Sequence, residues 1–122
     1  MKPFAAMPAA AATGIRGLFC DIDDTLTTHG RLHAIAYTAL EHLREAGLLV
    51  IPVTGRPAGW CDHIARMWPV DAVVGENGAL YMRYDNARHR LVRRFVDDAT
   101  TRLAQRERRA EIAAKIVAAV PG

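Results

Sequence analysis

Short apolar runs alternate with amphipathic segments over the first 75 residues of this chain. Two helical segments separate the runs. The first covers residues 32–46 and is terminated by Gly47, and the second starts near Pro57 and extends to about residue 67. The apolar runs with the length of buried strands are 15–20, 48–53 and 70–74. Strands that alternate with helices in this way predict parallel strands joined by right-handed crossovers.

The remaining residues follow a different pattern. Residues 79–84 and 91–96 predict two strands joined through the turn Asp85-Asn86-Ala87-Arg88, because Asn and Asp favour turn geometry. One long helix is predicted from about residue 98 to 120, before Pro121-Gly122. The predicted fold class is therefore α/β: a Rossmann-like, doubly wound, mainly parallel sheet with flanking helices and a β-hairpin.

Length and composition indicate one soluble globular domain, since the chain has 122 residues, 51% of them hydrophobic and 24% charged. The Ala-rich residues 1–14 predict a flexible leader before a core domain at 15–122. The apolar run 48–55 contains a proline and is far shorter than the roughly 20 residues of a membrane span, so we expect no membrane partner. Cys20 and Cys61 lack the paired spacing of a metal site, which favours a reduced, cytoplasmic setting.

Charge is distributed unevenly along the chain. Residues 1–82 hold 6 Lys/Arg and 8 Asp/Glu, whereas residues 83–122 hold 10 and 5. The arginines of the last helix alternate with Glu107 and Glu111, as on a solvated helix face. Because no nucleic-acid-reading motif accompanies these arginines, we expect no nucleic-acid partner.

Carboxylates and a hydroxyl follow two of the predicted strands at their carboxyl ends, where ligands of such sheets bind. Asp21 and Asp23 come after the first strand, and their spacing lets both side chains leave it on the same side. Two carboxylates this close need a cation such as Mg²⁺, and one can then attack phosphorus while the other carries a proton. Thr54 offers a hydroxyl and an N–H to a phosphoryl oxygen, and Gly55 allows close approach.

A structural interpretation of the same residues competes with this one. Asp21–Thr25 could be a polar loop with a helix cap, since Asp and Thr are common in both roles. Three carboxylates directly after a buried strand favour the functional interpretation. Trp60 and Trp68, around the second helix, are expected to pack at its ends or on the sheet.

Three segments together resemble the haloacid dehalogenase-like phosphohydrolase superfamily. They are Gly17-Leu-Phe-Cys-Asp-Ile-Asp-Asp-Thr-Leu26, Val50-Ile-Pro-Val-Thr-Gly-Arg-Pro57 and Val73-Val-Gly-Glu-Asn-Gly-Ala79. The third segment narrows the resemblance to the branch that contains phosphatases of trehalose, sucrose and mannosylglycerate phosphates. The resemblance covers about residues 15 to 120.

This resemblance implies a role for each matching position. Asp21 would be the nucleophile that forms an aspartyl-phosphate and a Mg²⁺ ligand, and Asp23 would be the general acid/base that binds the metal through its backbone carbonyl. Thr54 and Gly55 would hold the phosphoryl group. Arg56, which shapes the same loop, and Asn77, at the mouth of the cleft, would be substrate-binding residues. Asp24 and Thr25 are expected to shape the turn.

The sequence departs from the family pattern in its second half. Members of the family have a Lys beside the phosphate and a late Gly-Asp-rich segment that completes the metal shell. Both follow a large cap domain. None of these three features is visible in this sequence. Lys115 is expected to pair with Glu111 one helical turn away, and Asp98 to cap the last helix rather than bind metal. We therefore expect the chain to correspond to the N-terminal half of such an enzyme, with a C-terminal half or a second chain as partner.

The leading hypothesis is a Mg²⁺-dependent phosphatase core that hydrolyses a small phosphomonoester, such as a sugar phosphate, and is incomplete as this chain. One alternative is a catalytically silent remnant that binds phosphate or a partner chain. Another is a receiver-like signalling domain, which should carry its acceptor Asp after the third strand. Gly75 and Glu76 occupy the position of that acceptor Asp, which argues against a receiver-like domain.

Overall fold

The computed structural model describes residues 6–120 of the chain. Its strands are β1 (Gly17–Asp21), β2 (Thr27–Thr28), β3 (Arg31–Leu32), β4 (Leu49–Val53), β5 (Val73–Gly75), β6 (Leu80–Asp85) and β7 (Arg90–Phe95). Its helices are α1 (Ala9–Ala12), α2 (Ala34–Glu45), α3 (Ala58–Met67) and α4 (Ala99–Ala119). Two tight turns, Ile22–Leu26 and Glu76–Gly78, follow β1 and β5.

Five of the strands form one sheet in the order β1-β4-β5-β6-β7. β1, β4 and β5 are parallel to each other, and β6 pairs antiparallel with both β5 and β7. Helices α2 and α3 connect the three parallel strands. This arrangement confirms the predicted α/β class, with a mixed sheet whose parallel strands are joined through helices.

The hydrophobic core lies between the sheet and the two crossover helices. Both crossovers step in the same direction along the sheet, so right-handed connections place both helices on one face. Leu40 of α2 and Ile64 of α3 are accordingly buried in one cluster with sheet residues. The sheet residues of that cluster are Val50, Val73, Leu80 and Met82.

The opposite face of the sheet is less covered by the described residues. Phe19 is 69% exposed and Leu49 is 52% exposed, although both lie within strands. In the described part of the chain, β1 pairs only with β4 and forms one edge of the sheet. Helix α4 contains no buried residue and leaves Ile116 and Val117 exposed.

Predicted and observed boundaries agree within a few residues for most elements. The third strand begins at Val73 and not at residue 70 as predicted. The backbone N–H of Val70 donates to the Trp68 carbonyl in a turn, and the N–H of Asp71 donates to the Val50 carbonyl before the strand begins. The hairpin of β2 and β3 was not predicted. Residues 1–5 of the predicted leader and the predicted helix stop at 121–122 lie outside the described residues. None of the described helices is long and apolar enough to cross a membrane.

The last helix begins as predicted. The side chain of Asp98 accepts a hydrogen bond from the Thr101 N–H (2.7 Å), so this carboxylate caps α4. Strand β7 runs parallel to β1 but lies four strands away, a separation of about 19 Å. Asp98 is therefore remote from Asp21. The expected pair of Lys115 with Glu111 is wrong, since the ion pairs among residues 6–120 do not include it.

Gly17 allows β1 to lie close to β4. A Cβ at this position would come within 2.7 Å of the Leu49 carbonyl oxygen, which belongs to the backbone and cannot move aside by a rotamer change. We expect Gly17→Ala to lower the free energy of unfolding by about 1–3 kcal/mol, as overpacking does. The midpoint of urea unfolding measures this loss.

Gly14→Ala is the matched control, because a Cβ at Gly14 meets no atom within 4 Å. This variant should stay within about 0.5 kcal/mol of the wild type. Equal midpoints for both alanine variants would contradict the close β1–β4 contact.

Candidate functional site

The two predicted site loops lie side by side at the carboxyl ends of the neighbouring parallel strands β1 and β4. β1 and β4 pair in a register that sets Asp21 opposite Val53, and Thr54 follows Val53 directly. The backbone N–H of Thr54 continues the sheet pattern by donating to the Val74 carbonyl (2.9 Å). Parallel pairing therefore brings together residues that are 33 positions apart in the sequence.

Asp21 presents its carboxylate to solvent at the end of β1. The chain then turns through Ile22–Leu26, with Asp24 in the left-handed region at φ 54°. The Thr25 hydroxyl donates to Asp21 Oδ2 across this turn (3.4 Å). Asp24 and Thr25 thus shape the turn, as expected. In the described part of the chain, no Lys, Arg or His forms an ion pair with Asp21.

Asp23 binds the guanidinium group of Arg56 through both carboxylate oxygens. Arg56 Nε lies 3.0 Å from Oδ1 and 3.1 Å from Oδ2, and Nη2 lies 2.5 Å from Oδ1. The Arg56 hydrogen bonds, and to a smaller extent one from Thr54, lower the pKa of the Asp23 carboxyl below its usual range. Asp23 is therefore ionised at neutral pH and can accept a proton.

Arg56 is itself held by an aromatic ring. Its guanidinium carbon lies 4.6 Å from the centre of the Trp60 ring, a cation–π distance. Trp60 lies in the first turn of α3, at the end of the helix where it was expected, but its side chain is 53% exposed. The physical reason is that the ring serves as a platform for Arg56 and leaves its other face to solvent. Trp68, at the other end, packs against the core. The sequence carried no signal for the contact of Arg56 with Trp60, because Arg56 lies before α3 and the four-residue spacing rule applies within a helix.

Thr54 is the best buried of the predicted site residues, at 2% exposed. Its Oγ1 accepts a hydrogen bond from the backbone N–H of Arg56 (3.1 Å). A threonine hydroxyl has one proton to donate, and this proton can go to the Asp23 carboxylate or to an oxygen bound at the site. The burial and the fixed acceptor bond together restrict the direction in which the hydroxyl can donate.

Gly55 and Asn77 lie against each other at the next position of the loop. The Asn77 N–H donates to the Thr54 carbonyl (3.2 Å). A Cβ on Gly55 would come within 2.9 Å of Asn77 Oδ1, so only glycine fits without movement of that side chain. The structure thus brings all six predicted site residues to one edge of the sheet: Asp21, Asp23, Thr54, Gly55, Arg56 and Asn77.

The donor set suits a hard cation, but only in part. Asp21 offers carboxylate oxygens and Asp23 a backbone carbonyl, both of the type that Mg²⁺ prefers. The Asp23 carboxylate is already engaged by Arg56. Among residues 6–120, no group of three or more His, Cys, Asp or Glu side chains could hold a metal ion. Water and substrate oxygens would have to complete the octahedron around such an ion.

A cavity of about 420 Å³ adjoins this edge of the sheet on the side of α4. Glu76, from the turn after β5, lies at one wall, and Phe95 forms another. Arg106 and Arg109 line the cavity from α4, one turn apart. Neither arginine forms an ion pair with the residues that the structure describes.

Solved structures resemble the chain over part of their length. A phosphatase of the haloalkanoate enzyme superfamily from Bacteroides thetaiotaomicron matches at 22% identity with a TM-score of 0.56, over 89% of this chain and 40% of its own. A hypothetical protein from Geobacillus kaustophilus matches at 29% identity with a TM-score of 0.49, over 56% of this chain and 27% of its own.

A third structure comes from a work on a trigonal-bipyramidal intermediate in a phosphoryl-transfer superfamily; it matches at 29% identity with a TM-score of 0.46, over 55% of this chain and 28% of its own. The chain thus spans between about a quarter and two fifths of these proteins. No curated protein matches the sequence.

The family model of the haloacid dehalogenase-like hydrolases matches residues 18–112, more than three quarters of the sequence. This range starts within β1 and includes the Asp21 turn, the Thr54 loop and the turn after β5. The chain belongs to the haloacid dehalogenase-like hydrolases.

Proposed function

We propose that this chain carries the nucleophile half of a Mg²⁺-dependent phosphatase that hydrolyses a phosphomonoester through an aspartyl-phosphate. Membership of a hydrolase family and a fold shared with phosphatases support phosphoryl transfer. The observation that carries the proposal is the pairing of β1 with β4. It sets Asp21, which is exposed, opposite Val53, the residue directly before the buried Thr54.

The two aspartates would divide the chemistry between them. An Asp21 oxygen attacks phosphorus, the bond to the leaving alcohol breaks, and Thr54 and Gly55 hold the phosphoryl oxygens. Asp23, kept ionised by Arg56, then takes a proton from the water that attacks the aspartyl-phosphate. Because the lowered pKa keeps Asp23 ionised between turnovers, this proton passes to solvent. The leaving oxygen in the capture step takes its proton from Asp23 only in the minor protonated form of that carboxyl.

Asp21 and the backbone carbonyl of Asp23 would hold the Mg²⁺ ion. When bound, the ion offsets the repulsion between the Asp21 carboxylate and the incoming phosphate dianion. The Asp21 carboxylate suits this role because it has no cationic partner among the described residues. The Asp23 side chain does not compete for the ion, since Arg56 already engages it.

A small sugar phosphate is the substrate class that we propose. Its support is the resemblance of the segment Val73-Val-Gly-Glu-Asn-Gly-Ala79 to the sugar-phosphate branch of the family. Arg56 and Asn77 lie at the loop where they could contact the substrate. We propose a cytoplasmic setting on the basis of two free thiols, Cys20 and Cys61.

We also propose that a second polypeptide segment completes the site, on the same chain or on another one. Its support is the open edge of β1 in the described part of the sheet, together with the exposed Phe19 on that strand. A silent phosphate-binding domain is the second candidate function. The incomplete metal shell among residues 6–120 favours it.

Asp21→Asn should abolish phosphoryl capture. With Mg²⁺ and an acyl phosphate as a small donor, we expect mass spectrometry to find one base-labile phosphoryl group on Asp21 of the wild type. A chromogenic phosphomonoester measures turnover of the same protein. Loss of the nucleophile should cost about 10³-fold or more in rate.

Asp24→Asn is the matched control, because it makes the same change three positions away and asparagine tolerates the left-handed backbone. This variant should keep the adduct. Equal rates for wild type and Asp21→Asn would refute the role of Asp21. Absence of any adduct on the wild type would favour the silent domain.

Arg56→Leu should return the pKa of Asp23 upward toward the usual aspartate range, because the hydrogen bonds and the positive charge of Arg56 lower it. The pair stabilises the folded wild type above the usual aspartate pKa. This stabilisation is lost as the pH falls through the lowered pKa of Asp23. Carboxyl ¹³C NMR titration in Mg²⁺-free buffer measures both values.

Arg66→Leu serves as the control for this titration, since Arg66 pairs with Asp62 on α3 and not with Asp23. The Asp23 titration should stay at its wild-type position in this variant. An unchanged Asp23 pKa in Arg56→Leu would show that the ion pair does not form in solution.

A further inference from the structure

β5 and the turn after it make three backbone hydrogen bonds with the Thr54 loop. Thr54 N–H donates to the Val74 carbonyl (2.9 Å), and the Asn77 N–H donates to the Thr54 carbonyl (3.2 Å). The Glu76 N–H donates to the Arg56 carbonyl (3.1 Å). The conformation of the loop is therefore set by a neighbouring segment and not by the loop alone.

Glu76 adds a side-chain contact that its backbone contact does not provide. Its Oε1 accepts a hydrogen bond from the Ala58 N–H (3.1 Å). Ala58 is the first residue of α3, where backbone N–H groups lack partners within the helix and a carboxylate is favoured. One residue thus binds the loop at Arg56 through its backbone and at Ala58 through its side chain.

The backbone of this turn is held in an unfavourable conformation. Glu76 has φ 51° and Asn77 has φ 55°, both in the left-handed region. Asparagine tolerates that region, whereas glutamate rarely adopts it. Such strain persists where surrounding contacts over-determine the conformation, and it is concentrated at functional sites.

The chain also packs tightly against α3 at Gly75, the residue just before the turn. A Cβ on Gly75 would lie 2.3 Å from Cys61 Sγ, and Cys61 is fully buried. The Cys61 thiol points toward the same Arg56 carbonyl, at 3.8 Å. The backbone of Arg56 is consequently fixed from two sides.

We propose that Glu76 is a positioning residue that fixes the backbone of Arg56 so that its guanidinium reaches Asp23. The inference rests on the function proposed above, because it assigns Glu76 to the phosphoryl-transfer site without direct contact to the substrate. The two hydrogen bonds of Glu76 hold the chain at Arg56 and at Ala58. The Arg56 side chain extends from this fixed segment to Asp23. Arg56 then orients the carboxylate that handles the proton.

Amide hydrogen exchange tests the contact, and hydrolysis of the aspartyl-phosphate formed from an acyl phosphate tests its consequence. In Glu76→Ala, the Ala58 amide should exchange about 10-fold faster or more, because it loses a hydrogen bond to a charged group. Hydrolysis of the aspartyl-phosphate on Asp21, the step in which Asp23 takes a proton, should slow by about the same factor. Glu76→Gln keeps an acceptor oxygen and should restore both readouts to within about threefold of the wild type.

Two further variants exclude trivial explanations. Glu76→Gly removes the carboxylate and relieves the left-handed backbone, so it should stay folded and still show the fast Ala58 exchange. Glu41→Gln, an exposed change on α2, should leave both readouts unchanged. The amide of Met82 in the core should keep its wild-type exchange rate in every variant.

The outcomes separate this inference from the proposed function. Unchanged Ala58 exchange in Glu76→Ala and Glu76→Gly would overturn the inference. So would a wild-type rate of aspartyl-phosphate hydrolysis in both variants, or a Glu76→Gln variant as impaired as Glu76→Ala. If the wild type captures no phosphoryl group, the proposed function fails, and exchange at Arg56 and Ala58 then decides whether Glu76 holds the loop.

Discussion

The in-register parallel pairing of β1 with β4 is the constraint on which the rest of the site depends. It fixes Asp21 opposite Val53, so the segments that continue beyond both strands emerge together at one edge of the sheet. Gly17 permits the close approach of the two strands at their start. A slip of one residue would turn Asp21 toward the other face of the sheet and separate its carboxylate from Thr54.

A second constraint is the repulsion between carboxylates that lie two residues apart. The structure resolves it by giving Asp21 and Asp23 different partners. Asp23 binds a guanidinium group, whereas Asp21 stays exposed and accepts one hydrogen bond from Thr25. Two identical side chains thus acquire different electrostatic surroundings, which is the general means by which one site obtains both a nucleophile and a proton carrier.

The elements that could be predicted from the sequence are those with local signals. The apolar runs that end at Asp21 and Val53, the Asx turn at Asp85 and the cap at Asp98 each depend on a few neighbouring residues. The hairpin of β2 and β3 escaped prediction because strands of two residues carry no periodicity.

Contacts that span the sequence could not be predicted in the same way. The ion pair of Asp23 and Arg56 joins positions 33 residues apart, and its partner choice depends on side-chain directions at the end of two strands. Trp60 was expected at an end of α3 or on the sheet, but its contact with Arg56 could not be predicted because it depends on the direction of the Arg56 side chain. Glu76 carried no signal of its own, since its role depends on a backbone conformation that is rare for glutamate.

Binding of beryllofluoride, a stable mimic of a phosphoryl group on a carboxylate, tests the central claim most directly. The ligand requires an acceptor carboxylate, a divalent cation and donors for its fluorine atoms at the same time. With Mg²⁺ present, ¹⁹F NMR should show bound resonances for the wild type, none for Asp21→Asn, and weakened binding for Thr54→Val. Bound resonances that persist in Asp21→Asn would contradict the assignment of Asp21 as the phosphoryl acceptor.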